Sequence, residues 1–285
     1  MQERGQPVMS IRLIISVLIG LFVISFGGLL LQYGGVFVQT YTEEEVAGNL
    51  IFDGVVLSMK DERFEHTRNV LTFLGIKVVQ KVPPSFQSKE VDKGLELYVG
   101  SRGFHTSAFL KVWSNRMAFI DALEEFVQDS SCNAETWRFF FEDDIAIHPN
   151  ITSARARVLL AKGVKLADKD GFMYLGICGP NCTEARLIDN GVQAARCAGT
   201  CAHAFGFQRW KAAEFLTEMS GLTLKGVEGP VILGFYFDRY MYEYANQVQK
   251  IWVVGSNLKS PVQSVVDHFG LLFQDRAMYP TTITK

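Results

Sequence analysis

The longest uncharged stretch of the chain lies near its N-terminus and limits what the whole chain can fold into. Residues 13–38 form a run of 26 positions without Asp, Glu, Lys or Arg. About 20 apolar residues are enough to cross the hydrocarbon core of a bilayer as a helix. A cleaved signal peptide would have a shorter apolar region and a small-residue cleavage site. The run therefore predicts an uncleaved transmembrane helix.

The charges on either side of this run predict its orientation. Arg4 and Arg12 precede it, and three consecutive glutamates begin at Glu43. Basic residues tend to stay on the cytoplasmic side of a membrane. We therefore expect a single-pass type II protein of the Golgi or endoplasmic reticulum membrane, with the lipid bilayer as a partner of its anchor. The expected segments are a cytosolic tail (1–12), the anchor (13–38), a stem (39–50) and a lumenal domain (51–285).

The composition excludes one class of partner. The chain has 285 residues and a formal net charge of −2. A nucleic-acid-binding protein usually shows a basic patch or stripe. Nucleic acid is therefore not an expected partner, and the length after the anchor suits one globular domain.

Four of the five cysteines are clustered, which indicates a covalent framework. An oxidising lumen favours disulfides over a four-thiolate zinc site, and zinc ribbons usually place two residues between paired cysteines rather than the three found here. The sequence leaves the pairing open, although a nested pairing would suit a hairpin. Cys132 is expected to be a buried free thiol. The clustered cysteines are Cys178, Cys182, Cys197 and Cys201.

After the stem, strand-like and helix-like segments alternate along the chain. Residues 49–59 and 76–82 are rich in β-branched residues, and helical spacing of apolar residues lies between them. Such a βαβ opening predicts a parallel sheet. The alternation continues to residue 256, except for residues 83–103, which are polar and are expected to form a loop. The predicted fold class is α/β, with a mostly parallel Rossmann-like sheet and helices on both faces.

Three adjacent acids interrupt the most hydrophobic of the predicted strands, residues 136–147. Glu142, Asp143 and Asp144 follow three phenylalanines at the point where the strand would end. Ligands of open α/β sheets bind beyond the carboxyl ends of the strands. Carboxylates are the ligands that hard divalent cations prefer. The pattern indicates a cation site, with a solvated turn as the alternative.

Taken in order, several segments resemble the GT-A-type glycosyltransferases of family 25, which include bacterial lipopolysaccharide galactosyltransferases and collagen galactosyltransferases. The segment FFFEDDIAI is similar to the family's Glu-Asp-Asp motif between hydrophobic residues. The resemblance covers most of the region after the anchor. The other similar segments are VVLSMKDERFEHTRNVLTFLGI, GFHTSAFLKVW, CAHAFGFQRWKAAEFL and YFDRYM.

This resemblance implies a UDP-sugar as the donor substrate and Mn²⁺ (or Mg²⁺) as the cofactor. It implies Asp144 as a metal ligand and Asp143 as a ligand of the metal or of the donor ribose. Glu142 would be a supporting hydrogen-bond acceptor. Arg63 would bind the donor's diphosphate, with a solvated helix residue as the alternative. His268 would be a third metal ligand, with a surface histidine as the alternative; His105 and His203 are weaker candidates.

An inverting transfer also needs a carboxylate base within reach of the acceptor hydroxyl. Asp238 is the first candidate, because it matches the acid of the family's later segment. Glu228 is the second. A helix-start acid stabilised by the helix dipole is the alternative for Asp238.

Two sequons, at Asn150 and Asn181, are N-glycosylation candidates. Asn150 lies six positions after Asp144, where a glycan would crowd the expected metal site. We therefore expect Asn181 to be the modified asparagine.

The sequence supports two functions of different classes. The first is a hexosyltransferase that moves galactose or glucose to a glycan or glycoprotein acceptor. The second is a non-catalytic lumenal binding or scaffold protein with a degenerate GT-A fold. It stays open because residues 106–108 do not carry the Ser-His pair of the family segment that they resemble.

Overall fold

The computed structural model describes the part of the chain that follows the predicted anchor. The predicted tail (1–12), anchor (13–38) and nearly all of the stem (39–50) lie outside the described residues. Among the described residues, no helix is both long and apolar enough to cross a membrane. The described residues are 50–99, 106–189, 191–221, 236–248, 250–258, 267–275 and 278.

Nine strands and six helices are described, and most alternate along the chain. The strands are β1 (Phe52–Leu57), β2 (Ile76–Lys81), β3 (Trp137–Glu142), β4 (Ile145–Ile147), β5 (Phe172–Asp189), β6 (Val192–Gln208), β7 (Ile251–Leu258), β8 (His268–Gly270) and β9 (Leu272–Gln274). The helices are α1 (Asp61–Phe73), α2 (Lys89–Val99), α3 (Ser107–Gln128), α4 (Ser153–Ala167), α5 (Arg209–Gly221) and α6 (Phe237–Gln247).

Seven strands form one mixed sheet in the order β2-β1-β3-β6-β5-β7-β8. The pairings show that β2, β1, β3, β5 and β7 run in one direction, whereas β6 and β8 run in the other. The prediction of an α/β fold with a mostly parallel sheet is confirmed. Strands β4 and β9 pair separately as a small antiparallel sheet.

Helices cover both faces of the large sheet, as predicted. Because side chains of a strand alternate between faces, Phe140 points into one hydrophobic core while Phe139 and Phe141 point into the other. The first core also contains buried residues of α3, α5 and α6. The second contains buried residues of α1 and α4. Strand β3 is thus buried on both sides.

Both ends of α1 show how the local sequence determines where a helix begins and where the chain turns. Asp61 and Glu62 lie in the first helical turn, where the helix dipole favours negative charge. Gly75 then adopts φ +75°, a left-handed conformation that glycine reaches without steric cost. The chain reverses there and enters β2, as the sequence predicted.

The expected loop over residues 83–103 is wrong in its middle part, residues 89–99. Residues Lys89–Val99 form helix α2. Val91 and Leu95 are one helical turn apart and fully buried, and they pack against Trp113 of α3. Only a narrow apolar stripe faces the protein, so polar residues dominate the local composition.

The single strand expected at residues 136–147 is also wrong. The chain forms β3, turns at Asp143 and Asp144, and continues as β4 in the other sheet. The backbone N–H of Asp275 donates to the carbonyl oxygen of Asp144 at 2.7 Å. The acids therefore occupy a turn between two sheets.

The cysteine-rich region is a long β5–β6 hairpin, and the nested pairing is the one the structure has. Disulfides join Cys178 to Cys201 and Cys182 to Cys197. Cys132 is a buried free cysteine, as expected.

Candidate functional site

The three acids lie where two neighbouring parallel strands end. Glu142, the last residue of β3, is in register with Leu57, the last residue of β1. Ser58 follows directly after β1, and α1 begins at Asp61. The same edge of the sheet therefore presents the acids of one strand and the polar loop of the next.

Asp143 is held by two partners, Ser58 of this loop and Arg63 of the first turn of α1. The guanidinium of Arg63 forms an ion pair with Oδ1 of Asp143 at 2.5 Å, and both side chains are largely buried. The hydroxyl of Ser58 donates to Oδ2 at 2.6 Å. Burial raises the pKa of Asp143, while the Ser58 hydrogen bond and the charge of Arg63 act in the opposite direction. Arg63 and Asp143, both predicted as site residues, are thus in direct contact.

Glu142 is placed by amides from two distant elements. Asn115 of α3 donates from Nδ2 to Oε1 at 3.2 Å, and Gln274 of β9 donates from Nε2 to Oε2 at 2.7 Å. Burial of the carboxyl group raises the pKa of Glu142 to about 8, and the negative charge of Asp144 acts in the same direction. Asp238 and Asp143 add smaller contributions of the same sign.

Asp144 is the most buried of the three acids, at 5% exposed. Its charge is the largest electrostatic contribution to the raised pKa of Glu142. Two carboxyl groups this close cannot both ionise without cost. The turn therefore concentrates negative charge that a bound cation would offset.

Asp238, the first candidate for the base, lies in the first turn of α6. Its Oδ2 accepts from the backbone N–H of Cys201 at 3.4 Å, and its Oδ1 accepts from the N–H of Arg239 at 2.8 Å. The charge of Asp238 contributes to the raised pKa of Glu142. Residues nearly 100 positions apart in the chain thus share one electrostatic environment.

His268 opens β8 and is buried rather than on the surface. Its Nδ1 lies 3.7 Å from Sγ of Cys178. The same sulfur lies 3.9 Å from Oε1 of Gln274, whose Nε2 donates to Glu142. His268 is therefore connected to the acids through Cys178 and Gln274, and its surface alternative is wrong.

His203 is fully buried beside the hairpin disulfide. A ring nitrogen of His203 and the sulfurs of Cys178 and Cys201 all lie within 4.8 Å of one another. The two sulfurs are bonded to each other, so they are not thiolate ligands. The four-thiolate zinc alternative is likewise wrong, because both cysteine pairs are disulfides.

The two sequon asparagines are exposed, and two other candidates cannot be placed among the described residues. Glu228, the second candidate for the base, and His105 lie outside the described residues. Asn181 is exposed on β5, where its Oδ1 accepts from Nζ of Lys250 at 3.0 Å. Asn150 is exposed after β4. It lines a cavity of about 240 Å³ together with Gly191, Gln193, Ser256, Asn257 and Phe269.

Sequence reasoning missed Ser58, Asn115 and Gln274. Ser58 stands directly after a predicted strand, so its position at the sheet edge could have been found from the same rule that found the acids. Asn115 and Gln274 have no local signal. They meet Glu142 only because α3 and β9 fold back against the end of β3.

The acidic cluster fits the divalent cation that the family resemblance implies. Hard cations such as Mn²⁺ and Mg²⁺ take carboxylate oxygens, and imidazole is a competent ligand of Mn²⁺. Burial and then the negative charge of Asp144 raise the pKa of Glu142, and a bound cation would offset that negative charge.

No protein-family model matches the chain, and no curated protein matches it. Among solved structures, the chain is similar to the crystal structure of 4-diphosphocytidyl-2C-methyl-D-erythritol synthase. The sequence identity is 11% and the TM-score is 0.29, over 64% of this chain and 83% of that chain. A likeness this low carries no inference about substrate or activity.

Proposed function

We propose that this protein is a metal-dependent glycosyltransferase of the GT-A type. It transfers a hexose, galactose or glucose, from a UDP-sugar to a glycan or glycoprotein acceptor with inversion. The observation that carries the proposal is the meeting of four carboxyl groups at one edge of the α/β sheet, next to a buried arginine. The four acids are Glu142, Asp143, Asp144 and Asp238.

Asp144 and Asp143 are the proposed ligands of Mn²⁺ or Mg²⁺, and His268 is the proposed third ligand. A bound cation supplies positive charge that holds a diphosphate and stabilises the departing UDP. Glu142 is proposed as a supporting residue of the site, because the side-chain amides of Asn115 and Gln274 fix the position of its carboxyl group.

Arg63 is the proposed diphosphate contact. Its guanidinium is held against Asp143, and a guanidinium has five N–H donors. It can therefore keep its contact with Asp143 while another N–H donates to a phosphate oxygen of the diphosphate.

Asp238 is the proposed general base. Backbone N–H groups of Cys201 and Arg239 fix its two carboxylate oxygens. In the proposed reaction, one of these oxygens accepts the proton of the acceptor hydroxyl while that hydroxyl oxygen attacks the sugar carbon and UDP departs. Glu228 remains the second candidate. The proposed setting is the lumen of the Golgi or endoplasmic reticulum, with the chain held by a helix at residues 13–38.

Turnover by the purified full-length chain, with a panel of UDP-sugars and Mn²⁺, tests this proposal. Asp144→Asn is expected to lower turnover at least about 100-fold, because it removes a charged ligand. Asp53→Asn is the matched control. Asp53 is exposed and lies near the other end of β1, so its turnover should equal that of wild type. No turnover by wild type with any donor, or full turnover by Asp144→Asn, contradicts the proposal.

The Arg63–Asp143 ion pair also supports a second candidate function. A pair this close already neutralises part of the acidic cluster. That arrangement suits a lumenal binding protein that uses a degenerate GT-A fold without catalysis. Binding of UDP-sugar without turnover by the full-length chain is the result that this second candidate predicts.

A further inference from the structure

One of the two disulfides touches the candidate site through both of its cysteines. Cys178 lies in β5 and is 2% exposed, and Cys201 lies opposite in β6. The β5–β6 register shifts on both sides of Cys178, between Gly176 and Cys178 and again between Cys178 and Asn181. Bulges of this kind interrupt the regular ladder. Because the ladder of hydrogen bonds is interrupted here, the disulfide restrains a part of the backbone that the sheet hydrogen bonds alone do not hold in place.

The Cys201 end of the bridge contacts the candidate base. Cys201 adopts φ +65°, a left-handed conformation that is uncommon and costly for a residue with a side chain. In this conformation its N–H donates to Oδ2 of Asp238. The strain and the contact occur at the same residue, and the bridge to Cys178 restrains that residue.

The Cys178 end contacts the other half of the site. Cys178 is the register partner of His268 in the β5–β8 pairing, and its sulfur lies 3.7 Å from Nδ1 of His268. Gln274, which orients Glu142, lies against the same sulfur. The disulfide therefore joins the residue that contacts the candidate base, Asp238, to the residue that contacts the candidate metal ligand, His268.

We propose that Cys178 and Cys201 are positioning residues, and that their disulfide sets the placement of Asp238 relative to His268. This inference rests on the proposed function. Cys182–Cys197 gives a matched comparison within the same hairpin. Its sequence separation of 15 is similar to the separation of 23 between Cys178 and Cys201, so both bridges restrain the unfolded chain to a similar degree.

Steady-state kinetics of the two full-length double variants separate positioning from general stability. Cys178→Ala/Cys201→Ala is expected to lower kcat roughly 10- to 100-fold with little change in donor KM, since a displaced base acts mainly on the transition state. The same variant should need more Mn²⁺ for half-maximal rate, because His268 has lost its neighbour. Cys182→Ala/Cys197→Ala should keep kcat within about twofold of wild type. Equal kcat losses in the two variants overturn the proposal.

Amide hydrogen exchange tests the same proposal without any activity. The amide of residue 201 should exchange about 10-fold faster or more in Cys178→Ala/Cys201→Ala, and at the wild-type rate in Cys182→Ala/Cys197→Ala. If the first variant fails to fold, Cys178→Ala/Cys201→Gly replaces it, because glycine accepts the left-handed conformation without strain. Unchanged exchange at residue 201 overturns the positioning role. Absence of UDP-sugar turnover by wild type instead contradicts the proposed function, and the exchange result then decides the positioning role by itself.

Discussion

Burial and nearby negative charge both raise the pKa of the Glu142 carboxyl group. This carboxyl group accepts two amide hydrogen bonds and interacts electrostatically with Asp144. Burial and the Asp144 charge both disfavour ionisation, so the pKa rises to about 8. An acid with a pKa raised in this way marks a candidate functional site.

The raised pKa of Glu142 predicts a specific pH dependence of stability. In the unfolded chain this glutamate ionises near its ordinary value of 4.5, whereas in the folded chain it stays protonated up to about pH 8. The folded state therefore binds more protons in this range, and stability falls as pH rises from about 5 to 8. Glu142→Gln removes this titration. In chelator-containing buffer, the free energy of unfolding of Glu142→Gln should rise relative to that of wild type as pH rises from about 5 to 8. The slope of this difference should be at most about 1.4 kcal/mol per pH unit.

Denaturant unfolding of the full-length chain, followed by tryptophan fluorescence, measures this difference. All four tryptophans lie in the described domain, so the signal reports on that domain. Glu96→Gln, at an exposed glutamate of α2, is the control and should follow wild type at every pH. A stability difference for Glu142→Gln that stays constant from pH 5 to 8 is incompatible with a shifted carboxyl group.

At the scale of elements, the close approach of β7 and β8 positions His268. A Cβ atom added to Gly255 would lie 1.9 Å from the carbonyl carbon of Gly270, in the facing strand. Gly255→Ala must therefore separate the two strands, and we expect a loss of about 3 kcal/mol or more in the free energy of unfolding. Thermal or denaturant unfolding gives the value.

Gly191→Ala is the control for this substitution. Gly191 has φ +68° but no atom within 4 Å of an added Cβ, so only backbone strain opposes alanine there. That strain should cost about 1 kcal/mol. Similar losses for the two variants would mean that the β7–β8 contact is not as close as described.

Elements that depend on local pattern could be predicted from the sequence, and those that depend on distant partners could not. Helices α1 and α3 to α6 and strands β1 to β3 and β5 to β7 follow from apolar spacing and from stop signals such as Gly75, whereas β8 and β9 were missed. Helix α2 was missed because only Val91 and Leu95 are fully buried along a polar segment. The break between β3 and β4 was missed because β4 pairs with β9, more than 120 residues later.

At the scale of the whole molecule, the candidate site depends on chain topology. The acids could be placed at a sheet edge from sequence, because parallel strands end together. The contact of Arg63 with Asp143 follows from the same rule, since α1 begins where β1 ends. The approach of Asp238, His268 and Gln274 could not be derived, because it requires the β5–β6 hairpin and β8 to fold back over the edge.

We propose that this edge of the sheet binds a nucleotide diphosphate through a divalent cation. Isothermal titration calorimetry of UDP into the purified full-length chain tests it most directly. We expect UDP to bind in the presence of Mn²⁺, to lose that binding when Mn²⁺ is chelated, and to bind Asp144→Asn at least about 10-fold more weakly. Absence of UDP binding with Mn²⁺ present, or equal binding by wild type and Asp144→Asn, would contradict it.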